Sequence, residues 1–308
     1  MELHRASGRR SIGFALAFAT MALWAVLPFA LEVALRTLDP PTITWVRFLV
    51  SAILLGAILA ARGSLPPLHR LGRGEWRLLA AATFFLAANY LAYLVGLDWT
   101  APANAQVMIQ LAPLLLAFGG IAVFGERFTR PQWIGVSVLA LGLCLFFAGQ
   151  MGALATGLRR QLLGDAVMVA AAVTWAVYGL AQKQLLRALP SQGIMLCIYA
   201  GCAVLFLPLA KPTSLAALDG LGWAALAFCA LNTLLAYGAF AEALAHWEAS
   251  RVSAVLALTP LATVACSTLA AARWPDLVVA EPLGWLAVGG ACLVVMGSLA
   301  TSLGSSVR

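Results

Sequence analysis

The chain has 308 residues, 63% of them hydrophobic and 10% charged, with a formal net charge of +7. A soluble domain carries about 45–50% apolar and about 25% charged residues, so no aqueous core hides this much apolar surface and a sizeable soluble domain is excluded. The positive charge leaves no nucleic-acid footprint, because the basic residues stand at the ends of apolar runs and form no stripe with interleaved aromatics.

Apolar runs bounded by charge, Pro or Gly fall at 11–32, 42–61, 76–97, 103–124, 132–150, 163–183, 193–210, 222–242, 252–272 and 283–303. They are continuous, not alternating, and each approaches the roughly 20 residues that a bilayer-crossing helix needs. Helices satisfy every backbone group internally, as lipid demands, so the expected fold is an all-α membrane protein of ten transmembrane helices. Arg5, Arg9 and Arg10 before the first run mimic a signal peptide. That run is longer than the about 7–15 apolar residues of a signal h-region, so it is expected to be the first membrane helix.

With the N-terminus in the cytoplasm, 13 Lys and Arg fall inside and 6 outside, together the 19 of the chain. The outside group is Arg36, Arg47, Arg159, Arg160, Lys211 and Arg273. The bias predicts a multi-pass protein of the bacterial inner membrane with both termini cytoplasmic. Trp45, Trp76, Trp99, Trp133, Trp223, Trp247, Trp274 and Trp285 stand near span ends, as an aromatic belt does. Trp24 and Trp175 lie well inside theirs. The six cysteines all sit in apolar runs with no CxxC spacing and read as small hydrophobes.

The chain also resembles itself. Gly13-Phe14-Ala15 through Trp24-Ala25-Val26 matches Gly164-Asp165-Ala166 through Trp175-Ala176-Val177, an offset of 151. Gln110-Leu111-Ala112-Pro113-Leu114 matches Ala257-Leu258-Thr259-Pro260-Leu261, an offset of 147 that Trp76 and Trp223 share with Tyr90 and Tyr237. Residues 1–150 and 151–308 are therefore expected to be two versions of a five-helix unit. An odd number of spans per unit turns the second upside down. Inverted repeats are a transporter architecture with the substrate site near the midplane between the halves.

Residues 104–145 read NAQVMIQLAPLLLAFGGIAVFGERFTRPQWIGVSVLALGLCL. With Pro113 in mid-helix, Gly125-Glu126-Arg127 and then Gln132-Trp133-Ile134-Gly135, this resembles the fourth and fifth helices of EamA-type carriers of the drug/metabolite transporter superfamily. The duplicated ten-helix layout extends the resemblance over essentially the whole chain, and within the family it is most similar to the YddG-type exporters of aromatic amino acids. The resemblance implies an inner-membrane exporter with a central cavity that opens alternately to each side. In the second half, Ala272-Arg273-Trp274-Pro275 stands where the first has Gly-Glu-Arg.

Span interiors look free of charge, with Glu32, Arg47, Asp98, Asp165, Lys183 and Glu242 all within a turn or two of a span end. That argues against phosphorylated cargo, which needs clustered Arg or Lys, and against a carboxylate proton relay. It points to a neutral or zwitterionic small molecule. Small multidrug members of the superfamily carry a Glu in the first helix, and Ile12–Leu31 has no ionisable residue.

The candidate substrate-binding residues are Trp24, Asn89, Tyr90, Tyr93, Gln110, Trp175, Tyr178 and Tyr237. Trp24 and Trp175 would bracket a midplane cavity from opposite sides, where a ring stacks on an aromatic cargo or meets an ammonium face-on. Tyr90 and Tyr237 are the second interior aromatic pair. Asn89 and Tyr93 share a helix face at i, i+4, and Tyr178 follows Trp175 at i, i+3. Core packing and interhelical hydrogen bonds stand as alternatives for all of these. Pro113 and Pro260 are expected as hinges, or as static kinks; each frees a helical carbonyl, and the one beside Gln110 is expected to serve a cargo ammonium.

There is no HExxH, no P-loop and no intramembrane carboxylate pair, and His4, His69 and His246 lie in termini or loops. No catalytic residue, metal or cofactor is expected, so the chain reads as a carrier and not an enzyme. The expected partners are the lipid bilayer and a neutral or aromatic amino acid, with a monomer sufficient for both halves. The rival readings are a carrier of another uncharged metabolite or drug, and a membrane enzyme or non-transporting factor.

Overall fold

The computed structural model describes residues 9–100, 102–124, 129–151, 158–247, 252, 255–256, 258–273 and 284–303. The Gly125-Glu126-Arg127 turn, Trp274 and both extreme termini lie outside the described residues. The order is α1 (Arg10–Leu35), α2 (Pro40–Ala61), α3 (Arg73–Trp99), α4 (Pro102–Met108), α5 (Leu111–Phe124), α6 (Arg130–Met151), α7 (Leu158–Leu185), α8 (Ser191–Phe206), α9 (Gly220–His246), α10 (Thr259–Arg273) and α11 (Trp285–Leu303). Two short 3-10 turns, Leu68–Arg70 and Pro212–Ala217, lie in the connections. Helices α1, α2, α3, α7 and α9 are each long and apolar enough to cross a bilayer.

The expected fourth span, 103–124, is not one helix. It breaks at Ile109–Gln110 into α4 and α5. Pro113 is the third residue of α5, one turn past the break, where a missing N–H costs the helix nothing. Its side chain lies outside those described. The Ile109 carbonyl that Pro113 frees accepts instead from the Ala112 N–H at 2.8 Å. The expected open carbonyl for an ammonium is therefore taken. In the second half Pro260 is the second residue of α10, and the Leu256 carbonyl it frees accepts from the Thr259 hydroxyl at 2.6 Å.

The packing is two-fold. Helix α3 packs along α7, and α1 packs along α9; α5 meets α7, and α10 meets α1; α2 meets α9, and α8 meets α3. Each pairing maps onto its companion when the halves are exchanged. Two pairs, α2 with α8 and α6 with α11, map onto themselves. The inverted repeat legible in the sequence is thus written into the helix contacts.

Helix α6 packs on α11 through glycine. A methyl added to Gly142 would sit 2.5 Å from the Val294 nitrogen and 2.8 Å from the Gly290 carbonyl, so the two backbones leave no room for a side chain. Leu139, Leu143, Phe146, Ala287, Ala291 and Val294 close the same seam.

At the end of the bundle that holds the start of α2, Asp39 caps the helix. Its Oδ1 accepts the Thr42 N–H at 2.9 Å, and Lys211 Nζ lies 3.5 Å from Oδ2. The Lys211 N–H in turn donates to the Thr42 hydroxyl at 2.8 Å. These bonds tie α2 to the connection between α8 and α9. Partial burial pushes the Asp39 carboxyl up, but the hydrogen bonds from Thr42 and Lys211 outweigh it and hold the pKa below the ordinary value. A lowered folded pKa gives stability that is full above the unfolded value, about 3.9, and is lost as pH falls through the folded value. Wild-type protein in detergent is expected to lose melting temperature below about pH 4 more steeply than Asp39→Asn. The difference is worth less than about 1 kcal/mol, because Lys211 is exposed. Parallel melting curves would show that the tie adds nothing.

Candidate functional site

Three residue pairs that occupy equivalent places in the two halves touch each other. The Trp24 and Trp175 rings meet edge to face at 6.2 Å, the Tyr90 and Tyr237 rings lie 5.3 Å apart and the Phe48 and Tyr199 rings 6.1 Å apart. A residue reaches its own counterpart only near the axis that relates the halves. For inverted repeats that axis lies in the membrane plane, so these residues mark the middle of the bilayer.

A cavity of about 670 Å³, counting the space at its mouth, opens beside that axis. Trp24 and Leu27 of α1, Arg47 of α2, Asn89, Tyr90, Tyr93 and Leu94 of α3, Gln106 of α4, Trp175 of α7 and Tyr237 of α9 contribute to its wall. Ile109, Gln110 and Ala112, at and just past the break between α4 and α5, complete one side, and Leu256 and Thr259, the counterparts of Ile109 and Ala112, line it from the second half. The cavity lies between two apolar clusters. One, toward the N-terminal end of α1, includes Ala17, Met21, Tyr199, Phe240 and Leu244. The other, toward the opposite end, includes Leu31, Leu38, Ile43, Leu97 and Leu226.

The wall is a chain of rings. Tyr90 touches Tyr237; Tyr237 lies 5.1 Å from Trp24; Trp24 meets Trp175; and Trp175 lies 5.1 Å from Phe240. The two indoles therefore do not bracket the cavity from opposite sides, as expected, but join into one wall. Of the eight sequence candidates, Trp24, Asn89, Tyr90, Tyr93, Gln110, Trp175 and Tyr237 come together on the cavity. Tyr178 does not. It is fully buried behind Tyr237, and its hydroxyl faces the Met195 sulfur of α8 at 3.4 Å.

Polar groups hold the wall in place. The Asn89 amide donates to the Ala171 carbonyl of α7 at 2.9 Å, and Asn232 on α9 donates to the Leu23 carbonyl of α1 at 2.7 Å. These clamps join the two equivalent helix pairs one turn apart in register, and Asn89 acts both as interhelical glue and as wall. Gln106 Nε2 donates to the Tyr93 hydroxyl and toward the Trp24 carbonyl, each at 3.2 Å. Two buried wall atoms, Tyr90 Oη and Gln110 Oε1, make no full hydrogen bond among the described residues, although the Thr233 and Tyr237 hydroxyls act on Tyr90 Oη.

The span interior is not free of charge. Arg47 lies seven residues inside α2, about 10 Å from its start at 1.5 Å per residue, and only 2% of it is exposed. Its Nε donates to the Thr233 hydroxyl of α9 at 2.9 Å, and its guanidinium carbon sits 4.5 Å from the centre of the Tyr90 ring. It does not belong to the outward loop charges, where its place near the start of an apolar run puts it. Its depth counted from Pro40 is the signal in the sequence that separates it from them.

Two inverted helical repeats around a midplane cavity define a class, the membrane carriers that work between two faces. Comparison with known proteins names the family. The profile of the EamA-like transporter family matches residues 11–148 and again 162–303, and the chain belongs to that family of transporters; it is not an enzyme. It is similar to YhbE, an uncharacterized inner membrane transporter of Escherichia coli strain K12, with 39% identity over 96% of this chain and 92% of that one. A probable amino-acid metabolite efflux pump of Salmonella typhimurium strain LT2 shares 23% identity over 97% of each chain. A crystal structure with 19% identity superposes with a TM-score of 0.68, covering 94% of this chain and 96% of that one, and shows the same fold.

Proposed function

We propose that the chain exports neutral amino acids, aromatic ones above all, across the bacterial inner membrane by alternating access, the activity implied by its resemblance to YddG-type carriers. The observation that carries this reading is the ring-built cavity on the axis between the repeats. Trp24, Trp175, Tyr237 and Tyr90, joined edge to face or tilted, offer an aromatic side chain large ring partners. The distant efflux pump, whose name specifies amino-acid metabolites, supports the same cargo class. Residues 1–150 and 151–308 are the two moving units, and the helix breaks beside Pro113 and Pro260 are where they bend. The apolar clusters on either side of the cavity serve as alternate plugs. Because Arg47 is buried, the outward loop group shrinks from six to five basic residues against 13. This favours cytoplasmic termini.

Proteoliposomes test the reading. Labelled tryptophan, phenylalanine, threonine or methionine is expected to cross faster than in vesicles without protein, with the aromatic pair fastest. If all four cross at the rate of empty vesicles while an uncharged drug or metabolite crosses faster, the cargo class is wrong and the carrier stands. If no solute crosses, the exporter reading itself fails.

A further inference from the structure

We propose that Arg47 is the anion-reading residue of the cavity, and that what it reads is a carboxylate on the cargo. This deepens the transport reading above and rests on it.

The protein itself uses little of this guanidinium. Arginine carries five N–H donors in a rigid fork. At Arg47 one, on Nε, goes to Thr233. The Thr233 hydroxyl donates its own proton to the Cys229 carbonyl at 2.9 Å, so its oxygen presents a lone pair to Arg47 and fixes the direction of the fork. The Tyr90 ring supports one face of the cation. Among the described residues no carboxylate lies within ion-pair distance of Arg47, and no other acceptor takes its remaining N–H groups.

A buried charge that lacks a counter-charge is strongly unfavourable. A guanidinium kept only to join α2 to α9 would spend its fork on backbone carbonyls. This one makes a single bond and presents itself on the cavity wall. What fits a planar fork of free donors is a planar pair of oxygens, bound side by side. A phosphate fits the same fork, but a doubly charged group would need a second cation, and among the described residues the wall holds no Lys and no other Arg.

Two independent observations point to a ligand at the same place. Tyr90 Oη and Gln110 Oε1 are both buried and both on the cavity wall, and among the described residues neither makes a full hydrogen bond, although the Thr233 and Tyr237 hydroxyls act on Tyr90 Oη. The hydroxyl is a third donor for a carboxylate held over the Tyr90 ring edge. The Gln110 oxygen is an acceptor, which suits the ammonium of a zwitterion. Arg47 therefore makes the carboxylate the required group, and Gln110 makes the ammonium an additional one.

The test uses purified full-length protein in detergent and three solutes that differ by one group: phenylalanine, 3-phenylpropionate and 2-phenylethylamine. Ligand-dependent thermal stabilisation reports binding directly. Phenylalanine and 3-phenylpropionate are expected to stabilise the protein, and the amine to need at least tenfold higher concentration for the same shift. Arg47→Gln is expected to raise the concentration needed for both carboxylates at least tenfold and to leave the amine unchanged. Arg47→Lys, which keeps the charge but not the fork, covers the case in which Arg47→Gln does not fold, and is expected to fall between. The assignment is overturned if the amine binds as well as the carboxylates, if no carboxylate shifts the protein, or if the variants that fold bind like wild type. Should 3-phenylpropionate bind through Arg47 while no amino acid crosses the proteoliposome membrane, the amino-acid reading falls and the role of Arg47 stands.

Discussion

Trp24→Ala is expected to lower phenylalanine flux in proteoliposomes at least tenfold, and Trp24→Phe to keep it within about threefold of wild type. Trp24 is the hub of the wall, with ring partners at 5.1, 5.8 and 6.2 Å in Tyr237, Phe240 and Trp175. Each aromatic pair contributes about 0.5–1.5 kcal/mol beyond its buried area, and tenfold in rate corresponds to about 1.4 kcal/mol. Alanine removes all three contacts and widens the cavity. Phenylalanine retains a ring at the same depth. A rise in apparent KM would place the loss in cargo contact, whereas a loss confined to melting temperature, with flux per folded molecule unchanged, would reduce Trp24 to packing. The equivalent substitution Trp175→Ala is expected to behave alike, because the two indoles are counterparts in contact.

Gly142→Val is expected to destabilise the fold more than any of the cavity substitutions does. The added side chain meets main-chain atoms of α11, not the ends of flexible side chains: Val294 N at 2.5 Å, the Gly290 carbonyl at 2.8 Å and Leu293 C at 2.9 Å from its Cβ. Overpacking typically costs about 1–3 kcal/mol, and in this seam the helices themselves must part, which places the cost at the upper end. At about 2–4 °C per kcal/mol for chains of 150–250 residues, melting in detergent falls by roughly 5 °C or more. Gly142→Ala is expected to give a smaller drop of the same sign. An unchanged melting temperature for the valine variant would mean that α6 and α11 do not pack this closely.

Much of this architecture is legible in the residues. Lipid leaves a chain of this composition only one kind of spanning element, and the repeated Trp24 and Trp175 with the repeated Tyr90 and Tyr237 mark the residues on the axis. What is not legible has definable physical causes. Arg47 looks like a span-end charge because its apolar run starts at 42. Helix α2 in fact starts on Pro40 behind its Asp39 cap, which carries the side chain deeper and turns it inward. Tyr178 follows Trp175 by three residues, which is 60° short of a full turn. That is enough to aim it at α8 and not at the cavity. The carbonyl freed by Pro113 would stay open in a continuous helix, but the chain breaks its helix there and Ala112 takes the bond. Such local rearrangement leaves no mark in spacing.

The two halves agree about aromatic rings but not about charge. At the offset of 151 that pairs Trp24 with Trp175, the counterpart of Arg47 is Ile198, buried and apolar. Exchanging the roles of the halves therefore returns tryptophan to tryptophan and tyrosine to tyrosine, yet sets the guanidinium off centre, nearer the Pro40 end of its helix. A solute held there leaves along unequal paths toward the two compartments, and its two escape rates differ. Such lopsidedness fixes which step of the cycle is slow. The concentration gradient alone still decides the direction of net flow.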